Sequence, residues 1–175
     1  MELFEGLLAR RSGRVYNGSP VPREALNSIL EAGLLAPSSR NRKNAAFITV
    51  SGRETMLELA RVKKTGAAML KTADCAIAVI GDTTLSDTWI EDTSVSMTYM
   101  MLRATDLGIA NCWVHCRNRE SSIDGVSSEQ FVRELLGIPR KYGVLAILAL
   151  GMTDEPPQPH RPEEADFSRV RIGKY

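Results

Sequence analysis

Apolar residues recur along the chain at two periods, and the switches between them outline its elements. Leu3, Phe4, Leu7 and Leu8 fall on one face at helical spacing, so the first segment reads as an amphipathic helix ending near Arg10 or Arg11. Pro22 stands where a helix can start. Ala25, Leu26, Ile29, Leu30, Gly33 and Leu34 then keep the helical period until Pro37 stops the run. Short apolar runs at 46–50, 75–80, 110–116 and 144–150 read as strands. Helical patterns separate them at about 54–71, 87–107 and 128–136, the last opening on Ser127 and Gln130 at the spacing of a capping box and closing before Pro139.

This alternation predicts an α/β sandwich around a central sheet, in one domain spanning 1–175, with strand order and direction left open. The segment PSSRNRKN, from Pro37 to Asn44, has no apolar period and is dense in turn formers, so it reads as a surface loop. After Gly151 the chain changes character: PPQPHRPEEAD cannot form a buried element alone, and RVRIGKY then alternates polar and apolar. Residues 153–175 thus read as an extended arm. Its last residues form a strand with no partner in their own sheet, suited to the edge of a neighbouring subunit.

Composition narrows the function classes. Lys and Arg total 22 against 21 Asp and Glu, so the overall field gives no drive toward nucleic acid or anionic membrane. No window approaches the roughly 20 unbroken apolar residues of a membrane helix. The start carries acidic residues early and arginines late, the reverse of a secretory signal. Three cysteines leave one unpaired in any disulfide scheme, which fits a reducing cytoplasm.

The candidate chemistry lies in three clusters. Arg10, Arg11, Ser12 and Arg14 can donate charge-assisted hydrogen bonds to phosphate from one turn, although cations are also favoured by the dipole at any helix C-terminus. Ser38, Ser39, Arg40, Asn41, Arg42 and Lys43 can offer donors to a planar heterocycle or an anion, or form a solvated loop. Cys112, Trp113, Val114, His115 and Cys116 close a strand with residues that both pack and hydrogen-bond. Zinc is a poor reading of that third cluster, because strand alternation puts Cys112 and Cys116 on one face and His115 on the other. No G-x-G-x-x-G, P-loop or G-x-S-x-G motif occurs.

Taken in order, these pieces resemble the FMN-dependent nitroreductase family across nearly the whole chain. RRSGRVY followed by PVPREALNSILEAGLLAPSSRN is similar to the family's Arg-Arg-Ser-x-Arg turn, helix and Pro-Ser-x-x-Asn loop. WIEDTSVSMTYMMLRATDLGIANCWVH resembles its long central helix and next strand, and FVRELLGIPRKYGVLAILALG its closing helix and strand.

The resemblance implies a three-layer α-β-α sandwich with a mixed central sheet and a C-terminal arm exchanged in a homodimer, with two FMN molecules at the interface. It implies a ping-pong reaction in which NADH or NADPH reduces FMN and a small acceptor, such as a nitroaromatic or quinone, takes the electrons. The alternative is a flavin-binding protein without significant turnover.

The implied cofactor residues are specific. Arg10, Arg11, Ser12 and Arg14 match positions that hold the phosphate, ribityl chain and pyrimidine edge, and Arg161 matches a late basic phosphate ligand. Pro37, Ser38, Ser39 and Asn41 match the loop that reaches the flavin, typically from the other subunit, and Trp113, Val114 and His115 match the segment flanking the ring. A guanidinium, Arg10 or Arg11, is the candidate for stabilising negative charge near N1 and O2 of the reduced ring. No catalytic acid, base or metal is implied, because the flavin carries the chemistry. Where many members read Gln-Pro-Trp in this region, the chain has Lys43, Asn44 and Ala45. It also lacks room for the helical excursion that roofs the site in larger relatives, which implies an open pocket.

Overall fold

The computed structural model describes residues 2–175. Helix α1 (Leu3–Ala9) ends where Arg10 turns extended. Helix α2 (Arg23–Leu35) starts after Pro22, whose fixed φ suits a helix start and whose missing N–H loses no bond there. Strand β1 (Ala45–Ser51), helix α3 (Arg53–Leu59), strand β2 (Cys75–Asp82) and helix α4 (Trp89–Asp106) follow. Strand β3 (Ala110–His115), helix α5 (Ser128–Leu136) and strand β4 (Tyr142–Gly151) complete the regular elements.

The sheet order is β1-β2-β4-β3, with β2 and β4 in the middle. Both central strands are near-continuous apolar runs and are buried almost throughout, as strands covered on both faces must be. One face carries α2 and α4, packed through Ile29, Met97, Met100 and Leu148. The other is covered by α3, the turns around residues 60–71 and α5, through Leu59, Val62, Leu70 and Val132. This is the expected three-layer sandwich. The four strands pair antiparallel throughout, and the parallel component of the expected mixed sheet is a single bridge between Ser12 and Asn111 on the outer edge of β3.

Two local expectations are corrected. The helix expected over 54–71 ends at Leu59; 3₁₀ turns occupy Ala60–Val62 and Ala68–Lys71, and between them Gly66 takes φ 82°, which a helix cannot hold. The capping box of α5 is half formed: the Ser127 hydroxyl accepts from Gln130 N, while the Gln130 amide reaches forward to Glu134. In the tail, 3₁₀ turns form at Pro162–Glu164 and Phe167–Arg169, and Val170 and Ile172 are exposed without strand pairing inside this chain.

The apolar face of α1 is also uncovered. Leu3 and Phe4 remain 74% and 62% exposed; Val95 and Tyr99 on α4 and Leu34 and Leu35 at the end of α2 are exposed as well. A groove of about 580 Å³ between α1 and α4 is lined by Leu3, Leu7, Tyr99 and Leu102. No helix among the described residues is long and apolar enough to cross a membrane.

Candidate functional site

The turn after α1 is stitched to the edge of the sheet. Gly13 N donates to the Asn111 carbonyl (2.9 Å), and the Tyr16 hydroxyl donates back to the Gly13 carbonyl (3.0 Å). Proximity favours glycine at position 13: a Cβ there would lie 3.0 Å from Ala110 Cβ, so the turn would have to shift. Behind the turn the Asn111 amide is buried and donates to Thr105 Oγ1 (3.2 Å) and the Ile109 carbonyl (3.2 Å), tying the end of α4 to β3. Arg10, Ser12 and Arg14 are thereby held along the open edge of β3. Their fields reach Cys112, where burial raises the thiol pKa and Arg14, the Ser12 hydroxyl, Arg10 and Lys63 pull it down.

Further along the same strand, Trp113 and His115 share one face, and the indole N–H donates to His115 Nδ1 (3.3 Å). An indole only donates, so His115 Nδ1 is an acceptor and its proton sits on Nε2. Burial depresses the His115 pKa, helped by Arg119, Lys63 and Arg117 and opposed by Glu129, so the ring is neutral near pH 7. Cys112, Val114 and Cys116 pack into the opposite core, as alternation predicts. Burial pushes the Cys116 thiol up to about 12, so it is protonated and inert as a ligand or nucleophile. Among the described residues no group of three His, Cys, Asp or Glu side chains is arranged to hold a metal.

Arg11 turns away from this edge. Its guanidinium lies 3.5 Å from His160 Nδ1, and His160 N donates to the Leu8 carbonyl (2.8 Å), pinning the tail beside α1. A cleft of about 270 Å³ between the turn and the tail is lined by Arg11, Gly13, Asn111 and Pro156. Arg161 follows on this segment, 81% exposed and 3.8 Å from Glu164.

The loop at 37–41 lies elsewhere. It forms a 3₁₀ turn, Ser39–Asn41, fastened to Asp92 in the first turn of α4. The loop leads into β1, on the sheet edge opposite β3, and at the other end of the strands: Ala45 pairs with Gly81, Gly81 with Gly143, but Ala110 with Gly151. Three strand spacings sideways and eight residues along β4 put the two clusters roughly 30 Å apart. No single small molecule touches both within one chain.

Two residues at these clusters were not among the candidate site residues read from the sequence. Lys63, in the turns after α3, is brought by the fold within electrostatic reach of Cys112, His115 and Cys116, and is visible in sequence only as one lysine among many. Asn44, inside the expected surface loop, is 2% exposed and donates to Asp92 Oδ2 (3.0 Å). The departure at Lys43 and Asn44 therefore contributes to the loop anchor.

The class these features define is an α+β protein with a two-sided antiparallel sheet and a cationic, aromatic-lined edge. The chain belongs to the nitroreductase family, whose sequence model, described as Nitroreductase family, matches residues 7–72 and 58–152. A provisionally named NADH dehydrogenase/NAD(P)H nitroreductase of Archaeoglobus fulgidus is 34% identical over 154 residues, covering 86% of this chain and 84% of that protein. The solved FMN-dependent nitroreductase from Clostridium difficile R20291 superposes with a TM-score of 0.94 at 36% identity, covering 98% of this chain and 99% of that one. The NADPH:FMN oxidoreductase of Vibrio harveyi, solved with NAD+, gives 0.81 at 25% identity over 99% of this chain and 77% of that one.

Proposed function

We propose that this chain is an FMN-dependent oxidoreductase that takes electrons from NADH or NADPH and passes them to nitroaromatic, quinone or similar small acceptors. The observation that carries the reading is the edge of β3: Arg10, Arg14 and Lys63 have no carboxylate partner among the described residues and all come within electrostatic reach of Cys112, on the strand that also carries Trp113 and His115 and meets Ser12 at its outer edge. Such a donor set fits FMN, which needs cations at its phosphate, donors along its pyrimidine edge and a flat neighbour. Bound FMN supplies hydride acceptance from the nicotinamide and electron delivery to the acceptor, the alternation of a ping-pong scheme.

The chain's own groups bind and orient. Arg10 and Arg161 hold the phosphate. Arg14 and Lys63, whose fields reach the strand beside Trp113, stabilise negative charge at the pyrimidine edge better than Arg11, which faces His160. Neutral His115 presents Nε2–H as a donor without adding charge.

The working unit on this reading is a homodimer of a single 1–175 domain in the cytoplasm. Separation of the two clusters by roughly 30 Å requires the 37–41 loop to reach the partner's flavin. The exposed apolar residues of α1, α4 and the end of α2 supply a self-complementary face of the kind dimers bury. Purified protein should be yellow and release FMN on denaturation, and should oxidise NADH or NADPH with menadione as acceptor. Protein that takes up no FMN would sink the proposal; FMN binding without turnover would leave a flavin-binding protein.

A further inference from the structure

Of the four non-glycine residues with positive φ among those described, three lie in one short loop: Arg40 at 51°, Asn41 at 54° and Lys43 at 49°. Backbone of this kind persists only where its surroundings over-determine it, and it gathers at functional sites. Here the surroundings are a single buried carboxylate. Asp92 accepts from Ser39 N (2.7 Å), Asn44 Nδ2 (3.0 Å) and Thr88 Oγ1 (3.3 Å). Its place in the first turn of α4 lets the helix dipole stabilise its charge. The loop closes on itself as Lys43 N donates to Ser38 Oγ (2.9 Å), and Arg42 donates to the Leu85 carbonyl (2.5 Å). Arg40 and Asn41 are left exposed, with no side-chain hydrogen bond among the described residues.

We infer that Asp92 is the positioning residue of the flavin-reaching loop: by gripping Ser39 N and Asn44 it holds Arg40 and Asn41 between them in the left-handed geometry that presents both to the cofactor of the partner subunit. The inference rests on the functional reading above, in which this loop completes a flavin site across a dimer. Val95 and Tyr99, exposed on the same helix, belong to the apolar face that the dimer would bury. Loop anchor and subunit contact therefore ride on one rigid element, so assembly delivers the loop in its working shape.

The test is FMN affinity of the apoprotein, by quenching of flavin fluorescence, with molecular mass and thermal midpoint read on the same samples. Asn41→Ala and Asp92→Ala should each weaken FMN by about tenfold, the scale of a lost hydrogen bond to a charged or fixed group. The double variant should be no worse than the worse single, because the anchor acts only through the loop. Asp92→Asn should stay within about threefold: the Asn44 amide, whose oxygen has no partner, can turn over and accept from the new NH₂. If Asp92→Ala does not fold, Asp92→Asn and Asn44→Ala carry the test, the second expected to lose about threefold by removing one of the anchor's three bonds. An Asp92→Ala protein that is less heat-stable yet binds FMN like wild type, while Asn41→Ala binds weakly, overturns the anchor and leaves the flavin reading standing. Wild-type affinity in Asn41→Ala overturns the loop's part in the flavin site, and the anchor's role with it.

Discussion

Replacing Gly13 with alanine should separate the site from the fold. The new Cβ would sit 3.0 Å from Ala110 Cβ and 3.5 Å from Asn111 N. That approach is tighter than carbon atoms normally make, so the turn or β3 must give by a few tenths of an ångström. The bond from Gly13 N to the Asn111 carbonyl, now 2.9 Å, would lengthen and weaken. Its complete loss would cost about 0.5–1.5 kcal/mol, which bounds the effect. Alanine returns about 0.4–1 kcal/mol by restricting the unfolded chain, since the φ at position 13 is not one that strains it. Net stability therefore changes by less than about 1 kcal/mol. Binding has no such offset. Ser12 and Arg14 flank the displaced residue, and charge-assisted bonds worth about 1.5–3 kcal/mol each are sensitive to such shifts, so FMN affinity should fall about 5- to 30-fold. Urea unfolding of the apoprotein and FMN titration measure the two effects separately. Unchanged FMN affinity, or a stability loss larger than the affinity loss, would refute the assignment of this turn to the cofactor.

Arg10→Ala and Arg161→Ala should each weaken FMN by about 1–3 kcal/mol in fluorescence titration, and unchanged affinity in both would remove them as phosphate ligands. Truncation after Asp166 removes exposed Phe167, Val170 and Ile172 and should reduce dimer mass in light scattering and FMN occupancy together; a truncated protein still dimeric and fully loaded would make the arm dispensable. Asp82 gives a pH dependence. Hydrogen bonds from Lys141 and Thr84 lower its pKa from 3.8 to about 2, and a depressed carboxyl stabilises the fold above its unfolded value. That contribution is present above about pH 4 and lost as pH falls toward about 2. Lys141→Met should flatten this part of the urea midpoint against pH, and an unaltered acid limb would show that the pair contributes nothing.

Sequence by itself determined where most helices and strands lie and which side chains of a strand share a face. The apolar runs at 75–80 and 144–150 read as strands, and strand alternation separated His115 from Cys112 and Cys116, because side-chain period is a local property. The Arg-Arg-Ser-x-Arg turn was legible because charged residues crowding a helix end are visible without coordinates. Tertiary structure alone decided the sheet order, the antiparallel pairing and the placing of the 10–14 turn and the 37–41 loop at opposite corners, since these depend on pairings between residues far apart in the chain. It also decided that the polar loop buries Asn44, that Asp92 on a helix four elements later holds that loop, and that Lys63 comes within electrostatic reach of His115. A lone asparagine, aspartate or lysine has no period and no motif. Its role comes from which groups the fold sets against it, and that is settled only when the sheet and its two helical layers close.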